Sequence, residues 1–157
     1  MKKLLILSII AFGFASCGGG DSSSQKKETT AESSKTASGN PSYDPNRGEG
    51  KFTTVDVKPT LEAAKADAGE KVYSVKCSSC HKLTEEKLVG PGWKGVTDRH
   101  TAVWIMNFAT NTDEMLNKDP KAQAMLEICL VRMPNQNLSD DDARNVYEFM
   151  RRNDGVK

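Results

Sequence analysis

Cys77-Ser78-Ser79-Cys80-His81 sets the terms on which the rest of this 157-residue chain is read. Two thiols three apart, with a histidine directly after the second, form the attachment site of a c-type haem. The thiols add across the two vinyl groups of a porphyrin, and the histidine can then donate an imidazole nitrogen to the iron. Competing readings of the same residues need partners that the sequence lacks. A zinc site takes four ligands, and the only other cysteine of the surrounding domain, Cys129, lies on an apolar stripe. A redox dithiol belongs in a βαβ context and a disulfide framework needs further cysteine pairs; neither is present. The motif predicts one covalent haem c held by Cys77, Cys80 and His81, and one-electron transfer as the use of such a group.

Four helix signals surround the motif. Asp67-Ala68-Gly69-Glu70 reads as a capping arrangement that opens a helix running to Lys76. Thr101 precedes Ala102-Val103-Trp104-Ile105-Met106-Asn107-Phe108, which is apolar nearly all round and therefore buried. Asp119-Pro120 puts a cap residue before a first-turn proline. Ala122, Met125, Leu126, Cys129 and Leu130 then fall on one helical face, which makes Cys129 a buried core thiol near the haem. Ser139-Asp140-Asp141-Asp142 caps a last helix, with Ala143, Val146, Phe149 and Met150 inward and Arg151 and Arg152 suited to its dipole. Valine and threonine cluster only before residue 60. The expected fold class is all-α, with about four to five short helices around one haem.

The second iron ligand is sought among His100, Met106, Met115, Met125, Met133 and Met150. Met106, Met125 and Met150 lie in apolar stripes, where methionine is ordinarily core filler. Met115 sits in a less regular stretch, and His100 follows the polar Thr97-Asp98-Arg99, as a surface or helix-start histidine would. Met133 is followed by Pro134 in a loop between two helices, where a thioether is free to approach the iron. Met133 is the expected ligand opposite His81.

Residues 61–152 resemble the class I c-type cytochromes, small mono-haem electron carriers. Gly69-Glu70-Lys71-Val72-Tyr73 ahead of the haem motif looks like that family's N-terminal helix. Gly90-Pro91 looks like its loop after the motif, and Met133-Pro134 followed by Leu138-Ser139-Asp140 like its distal loop and last helix. The resemblance implies a cytochrome c-like fold in which Gly69 and Tyr73 touch Val146 and Phe149 where the first and last helices cross. It also implies that the Pro91 carbonyl accepts the second N–H of the proximal His81, fixing the ring. Leu88-Val89-Gly90-Pro91-Gly92-Trp93-Lys94-Gly95-Val96 and the segment 127–138 are similar to lipoprotein cytochromes associated with nitrous oxide reductase systems.

Upstream, Met1-Lys2-Lys3, an apolar run to Phe14 and small Ala15-Ser16 read as a secretory signal over residues 1–16. Ala15-Ser16-Cys17 resembles a bacterial lipobox, although Phe14 departs from the usual aliphatic residue. Cys17 is then the lipid attachment site, and Gly18-Gly19-Gly20 suits such a tether. Two or more acyl chains anchor stably where one is marginal. Residues 18–40 are too polar to offset their ordering entropy. About 40 flexible residues have a root-mean-square span on the order of 35 Å. Residues 17–59 are assigned to a lipid-anchored linker, with one short extended segment around Phe52, Val55 and Val57, and residues 60–157 to the folded domain. That domain holds 14 Lys and Arg against 15 Asp and Glu, unlike the strongly basic domains that bind nucleic acid.

Histidine–methionine ligation closes both axial sites, and methionine raises the potential relative to two histidines. The expected protein is an electron carrier rather than an enzyme, on the periplasmic side of a bacterial membrane. Its donor is a quinol-oxidising complex or another cytochrome; its acceptor is a terminal reductase or oxidase. Lys71, Lys76, Lys82, Lys87 and Lys94 outnumber Glu85 and Glu86 near the motif, a collar able to steer an acidic partner. Asn135 and Asn137 are placed to hydrogen-bond near the methionine sulfur. A haem gas sensor is the alternative, and needs an open sixth position. A peroxidase is a further one, and needs a distal base for which His100 is the only spare histidine.

Overall fold

The computed structural model describes residues 43–157. The signal segment 1–16, Cys17 and the polar stretch 18–40 lie outside the described residues. Six α-helices occur among the described residues: α1 Ala63–Lys76, α2 Val96–Arg99, α3 Ala102–Thr110, α4 Thr112–Lys118, α5 Pro120–Cys129 and α6 Asp140–Asn153. The sole β-type pairing among them is an isolated bridge between His81 and Lys87.

Three helices begin where their caps were expected. The side chains of Thr101, Asp119 and Ser139 accept from the N–H groups of Trp104, Ala122 and Asp142. α1 departs from expectation by starting about one and a half turns early, with Glu62 rather than Asp67 at the cap position. The alanines at 63, 64 and 66 need no cap to favour helix. Glu62 makes no side-chain cap; its carboxylate meets Lys65 and Arg144, and its N–H donates to Glu148.

Two short helices had no local signal. α2 is capped from 57 to 59 residues away: the Asp154 carboxylate accepts from the N–H groups of Gly95 and Thr97 at 2.6 and 2.9 Å. α4 opens at Asn111, whose side chain donates to the Glu49 carbonyl instead of capping.

α1 crosses α6 at Gly69. A Cβ there would overlap the Asn145 carbonyl, so only glycine permits the approach. Tyr73 packs its ring 5.2 Å from Phe149 and 4.9 Å from Trp93, and its hydroxyl donates to the His81 carbonyl at 2.7 Å. Val146, Phe149 and Met150 are buried, as the helical spacing predicted. The fully buried Glu148 on the same helix is paired with Arg144 and Arg151, each at 2.6 Å. Arg151 therefore holds a buried carboxylate, together with the Lys58 and Pro59 carbonyls, rather than merely facing the helix dipole.

Residues 43–59 are not free linker. They form a strap without regular secondary structure, with Phe52, Val55 and Val57 half-buried against the core. Asn107, fully buried, donates to the carbonyls of Arg47 and Phe52 and accepts from the Phe52 N–H. Tyr43 donates to Asp119 at 2.8 Å. Gly48, at φ 65°, lies where a Cβ would collide with Met115. Phe52, Val55 and Val57 pack against the core, and the strap's hydrogen-bond partners include side chains from α3 to α6.

Candidate haem site

Cys77 ends α1, and the chain turns at once. The N–H groups of Cys80 and His81 donate to the Cys77 carbonyl at 3.0 and 2.9 Å, folding the five-residue motif into one tight turn. Burial pushes the Cys77 thiol up to about 11, so it is protonated at neutral pH.

His81 is fixed by the loop that follows. Its Nδ1–H donates to the Pro91 carbonyl at 2.9 Å. A carbonyl can only accept, so the proton sits on Nδ1 and Nε2 keeps its lone pair. Burial lowers the His81 pKa and the Pro91 bond partly offsets this, which keeps the ring neutral at pH 7. Gly90 backs the ring so closely that a Cβ would overlap Cε1. The loop itself is pinned at several points. Gly90 N–H donates to the Cys80 carbonyl, Trp93 N–H to Lys82, and Arg99 reaches the Gly92 and Lys94 carbonyls.

Two apolar cavities adjoin this turn. Both are lined by His81, Pro91, Phe108, Met125 and Met133; Cys80 lines one and Cys77 the other. The structure thus brings together Cys77, Cys80, His81, Pro91 and Met133. Met133 lies in the segment between α5 and α6, which is held by Lys76 donating to the Gln136 carbonyl and Arg132 to Asn117. Left-handed residues bracket that segment, Leu130 at φ 60° and Asn137 at φ 49°.

Of the other candidates, Met106 and Met115 fall elsewhere, whereas Met125, Met150 and His100 also line these cavities. Met115 is fully buried beneath the strap, its sulfur accepting from the Glu49 N–H. Met106 is core, and Met125, expected as core, is a second methionine of the cavities. His100 is not a surface histidine: it stacks face to face on Trp104, with centroids 4.1 Å apart. Burial, with Lys121 and Arg99 nearby, depresses its pKa to about 4. Cys129 borders the cavity with Cys80 and Met133 as expected, but is half-buried rather than buried, because it closes the last turn of α5. Asn135 and Asn137 are exposed, and the Asn135 side chain accepts from the Asn137 N–H within its own loop.

The basic collar is largely engaged. Lys82 pairs with Glu86 at 2.7 Å, while Lys76, Lys87 and Lys94 donate to the carbonyls of Gln136, Ile128 and Asn153. Sequence reasoning missed the apolar rim beside it: Leu88, Val89, Ile128, Leu130 and Val131 are exposed, and Val89 and Val131 line a cavity mouth. The run Ile128-Cys129-Leu130-Val131, too long for a single helical stripe, was the available signal.

These residues fit one haem c. Two thiols flank an imidazole with a free nitrogen, a thioether lines the same apolar cavities, and Gly90 leaves room at the ring. Among the side-chain nitrogens and oxygens of the described residues, His100 Nδ1 is buried without a partner, and His100 lines the cavity with Cys77.

Fold and site together define a small all-α protein that carries haem covalently. The chain belongs to the cytochrome c family, whose model matches residues 66–154. A cytochrome c from Rhodothermus marinus superposes with a TM-score of 0.65 at 30% identity, over 67% of this chain and 90% of that one. An engineered form of it reaches 0.64 at 28% identity over the same shares. A further engineered form, bound to a carbene intermediate, reaches 0.61 at 28% identity over those shares. No curated protein matches the chain. The fold is that of cytochrome c, the cofactor is haem c, and the family's general work is haem-based electron transfer.

Proposed function

We propose that this protein is a membrane-tethered periplasmic electron carrier in which His81 and Met133 would hold the iron of one haem c. The observation that carries this reading is the His81–Pro91 hydrogen bond, which leaves a neutral Nε2 donor beside cavities that Met133 also lines. Haem c, when bound, supplies a one-electron iron couple. His81 contributes an imidazole of fixed tautomer, made more basic by the Pro91 carbonyl. Met133 contributes a soft thioether, which favours the reduced state. Phe108 and Met125 help exclude water from both cavities, which disfavours the extra charge of the oxidised state. The exposed rim of Leu88, Val89, Ile128 and Val131 is the natural exit for the electron.

The test of ligation is optical. Wild-type holoprotein is expected to be low-spin with the near-infrared-edge methionine–iron band, and Met133→Ala to lose that band. A high-spin ferrous wild type that binds carbon monoxide freely would overturn the assignment. That outcome would favour a second reading, a ligand-binding haem module. Its supporting observation is the engineered Rhodothermus relative bound to a carbene intermediate.

The tether rests on Ala15-Ser16-Cys17 and the polar residues behind it. Among the described residues no helix is long and apolar enough to cross a membrane. Cys17→Ser is expected to move the protein from the membrane to the soluble fraction; unchanged retention counts against the lipid. The donor is a quinol-oxidising complex or another cytochrome. The acceptor is a terminal reductase or oxidase, and the similarity of segments 88–96 and 127–138 supports nitrous oxide reductase. Stopped-flow oxidation of the reduced protein by that enzyme, compared with a terminal oxidase, decides between them.

A further inference from the structure

Besides Val75 on α1, the exposed large hydrophobics of the described residues fall in two short segments, Leu88–Val89 and Ile128–Val131. The two segments are neighbours in space. Lys87 Nζ donates to the Ile128 carbonyl at 3.0 Å, and Val89 and Val131 line the same cavity mouth. Haem in that cavity would cover part of Val89 and Val131. Leu88 and Leu130 line none of the cavities and stay bare.

Leu130 is the most telling of them. It ends α5 in the left-handed region at φ 60°, with its side chain 83% exposed. That position ordinarily takes glycine, because a Cβ is strained there. So exposed a side chain packs on too little of the fold to offset the strain. A leucine retained there serves a contact outside the chain.

The composition of the rim selects its occupant. Its apolar members are all branched aliphatics, whereas protein–protein hot spots are enriched in Trp, Tyr and Arg and poor in Leu and Val. The exposed charges beside it nearly cancel, Lys87 and Arg132 against Glu85 and Glu127. Lys82 and Arg132 are further matched by Glu86 and Asp113. Little field is left to steer a strongly charged partner. Aliphatic side chains flanked by a lysine and an arginine suit a phospholipid interface, where apolar groups enter the acyl boundary and cations stay at the phosphates. Chain length permits the contact. Tyr43 is bonded to Asp119 at the start of α5, and the rim lies at the other end of that ten-residue helix, about 15 Å away. The chain from Cys17 to Tyr43 can extend up to about 90 Å.

We infer that Leu88, Ile128, Leu130 and the two valines beside them form a face that docks on a zwitterionic phospholipid surface. This rests on the tethered-carrier reading, because the anchor holds the face at high local concentration over lipid. A contact too weak to recruit a soluble protein is then occupied most of the time. The face borders the haem cavity, so a docked molecule hides its electron exit and must lift off to reach an acceptor.

The experiment uses the acylated full-length holoprotein on vesicles of phosphatidylcholine and phosphatidylethanolamine. Unacylated Cys17→Ser holoprotein in solution is the free reference. Hydrogen exchange of segments 88–89 and 128–131 is expected to be about three- to tenfold slower on the vesicles, and oxidation of the reduced protein by ferricyanide to slow with it. The double variant Leu130→Gly, Ile128→Gln should float with the vesicles as wild type does and lose both effects. Its thermal unfolding should not fall, because glycine suits the left-handed position. Exchange on vesicles within twofold of the free reference overturns the inference. So does protection that grows with the number of chains per vesicle, the mark of a second copy covering the rim. Flotation separates these failures from failure of the tether. If wild type does not float, Cys17→Ser titrated to high lipid with the same vesicles decides: a protected rim supports the docking face and an unprotected one overturns it.

Discussion

At Gly69 the missing side chain decides how two helices meet. Any Cβ there would strike the Asn145 carbonyl of α6 and crowd the Phe149 Cβ. Gly69→Ala must push α6 away from the Tyr73–Phe149 contact. We expect a loss of about 3 kcal/mol, the upper range for overpacking, measured by urea unfolding of the holoprotein. An unchanged midpoint would show that the crossing relaxes freely. Gly69, Tyr73 and Pro91 were legible because they sit at short, ordered distances from the haem motif in a pattern shared with class I cytochromes. Asn107, His100 and Glu148 were not. A polar residue in an apolar stretch gives no sign of whether it faces solvent or clamps a distant backbone, and Asn107 and Glu148 both bond to backbone far along the chain, while His100 is covered by Trp104 one turn on.

The helices divide along the same line. Thr101, Asp119 and Ser139 were readable as caps because donor and acceptor lie three residues apart. α2 was unreadable because its cap, Asp154, arrives from beyond the end of α6. Asp154→Ala should release the Gly95 and Thr97 amides and the Thr97 hydroxyl together. The expected loss is about 2 kcal/mol, with those two amides among the first to exchange with deuterium. Continued protection of Gly95 and Thr97 would assign the support of α2 to Arg99 instead. Asp119 serves three donors at once, including the indole of Trp104. Asp119→Ala should therefore cost about 3 kcal/mol, more than a helix cap alone, and thermal unfolding with and without Tyr43→Phe would apportion it.

Across the whole molecule, capping signals and the hydrophobic pattern located the four longer helices, but the inner edge of the tether fell 16 residues later in sequence than the packed strap begins. The strap carries few large apolar groups, and what orders it is hydrogen bonding to Asn107, Asp119, Arg144 and Arg151. This gives the fold an alkaline signature. Burial, and then the bond to Asp119, raise the Tyr43 pKa well above its ordinary 10.0. The folded state keeps that proton after the unfolded chain has lost it, so stability falls as pH rises past about 10. Tyr43→Phe should flatten the alkaline limb of the stability curve. An identical limb would mean that Tyr73 and Tyr147, also raised by burial, account for it.

The strap also decides where mechanical force goes. A pull applied at Tyr43 is borne first by the Asp119 bond, then by the grip of Asn107 on Arg47 and Phe52, and only after those by the arginines that hold residues 56–59. α1, which leads into the cysteine turn, lies behind all of these. The strap acts as a fuse: tension peels it from α3 and α5 while the crossing of α1 and α6 stays closed and the His81 turn remains unstrained.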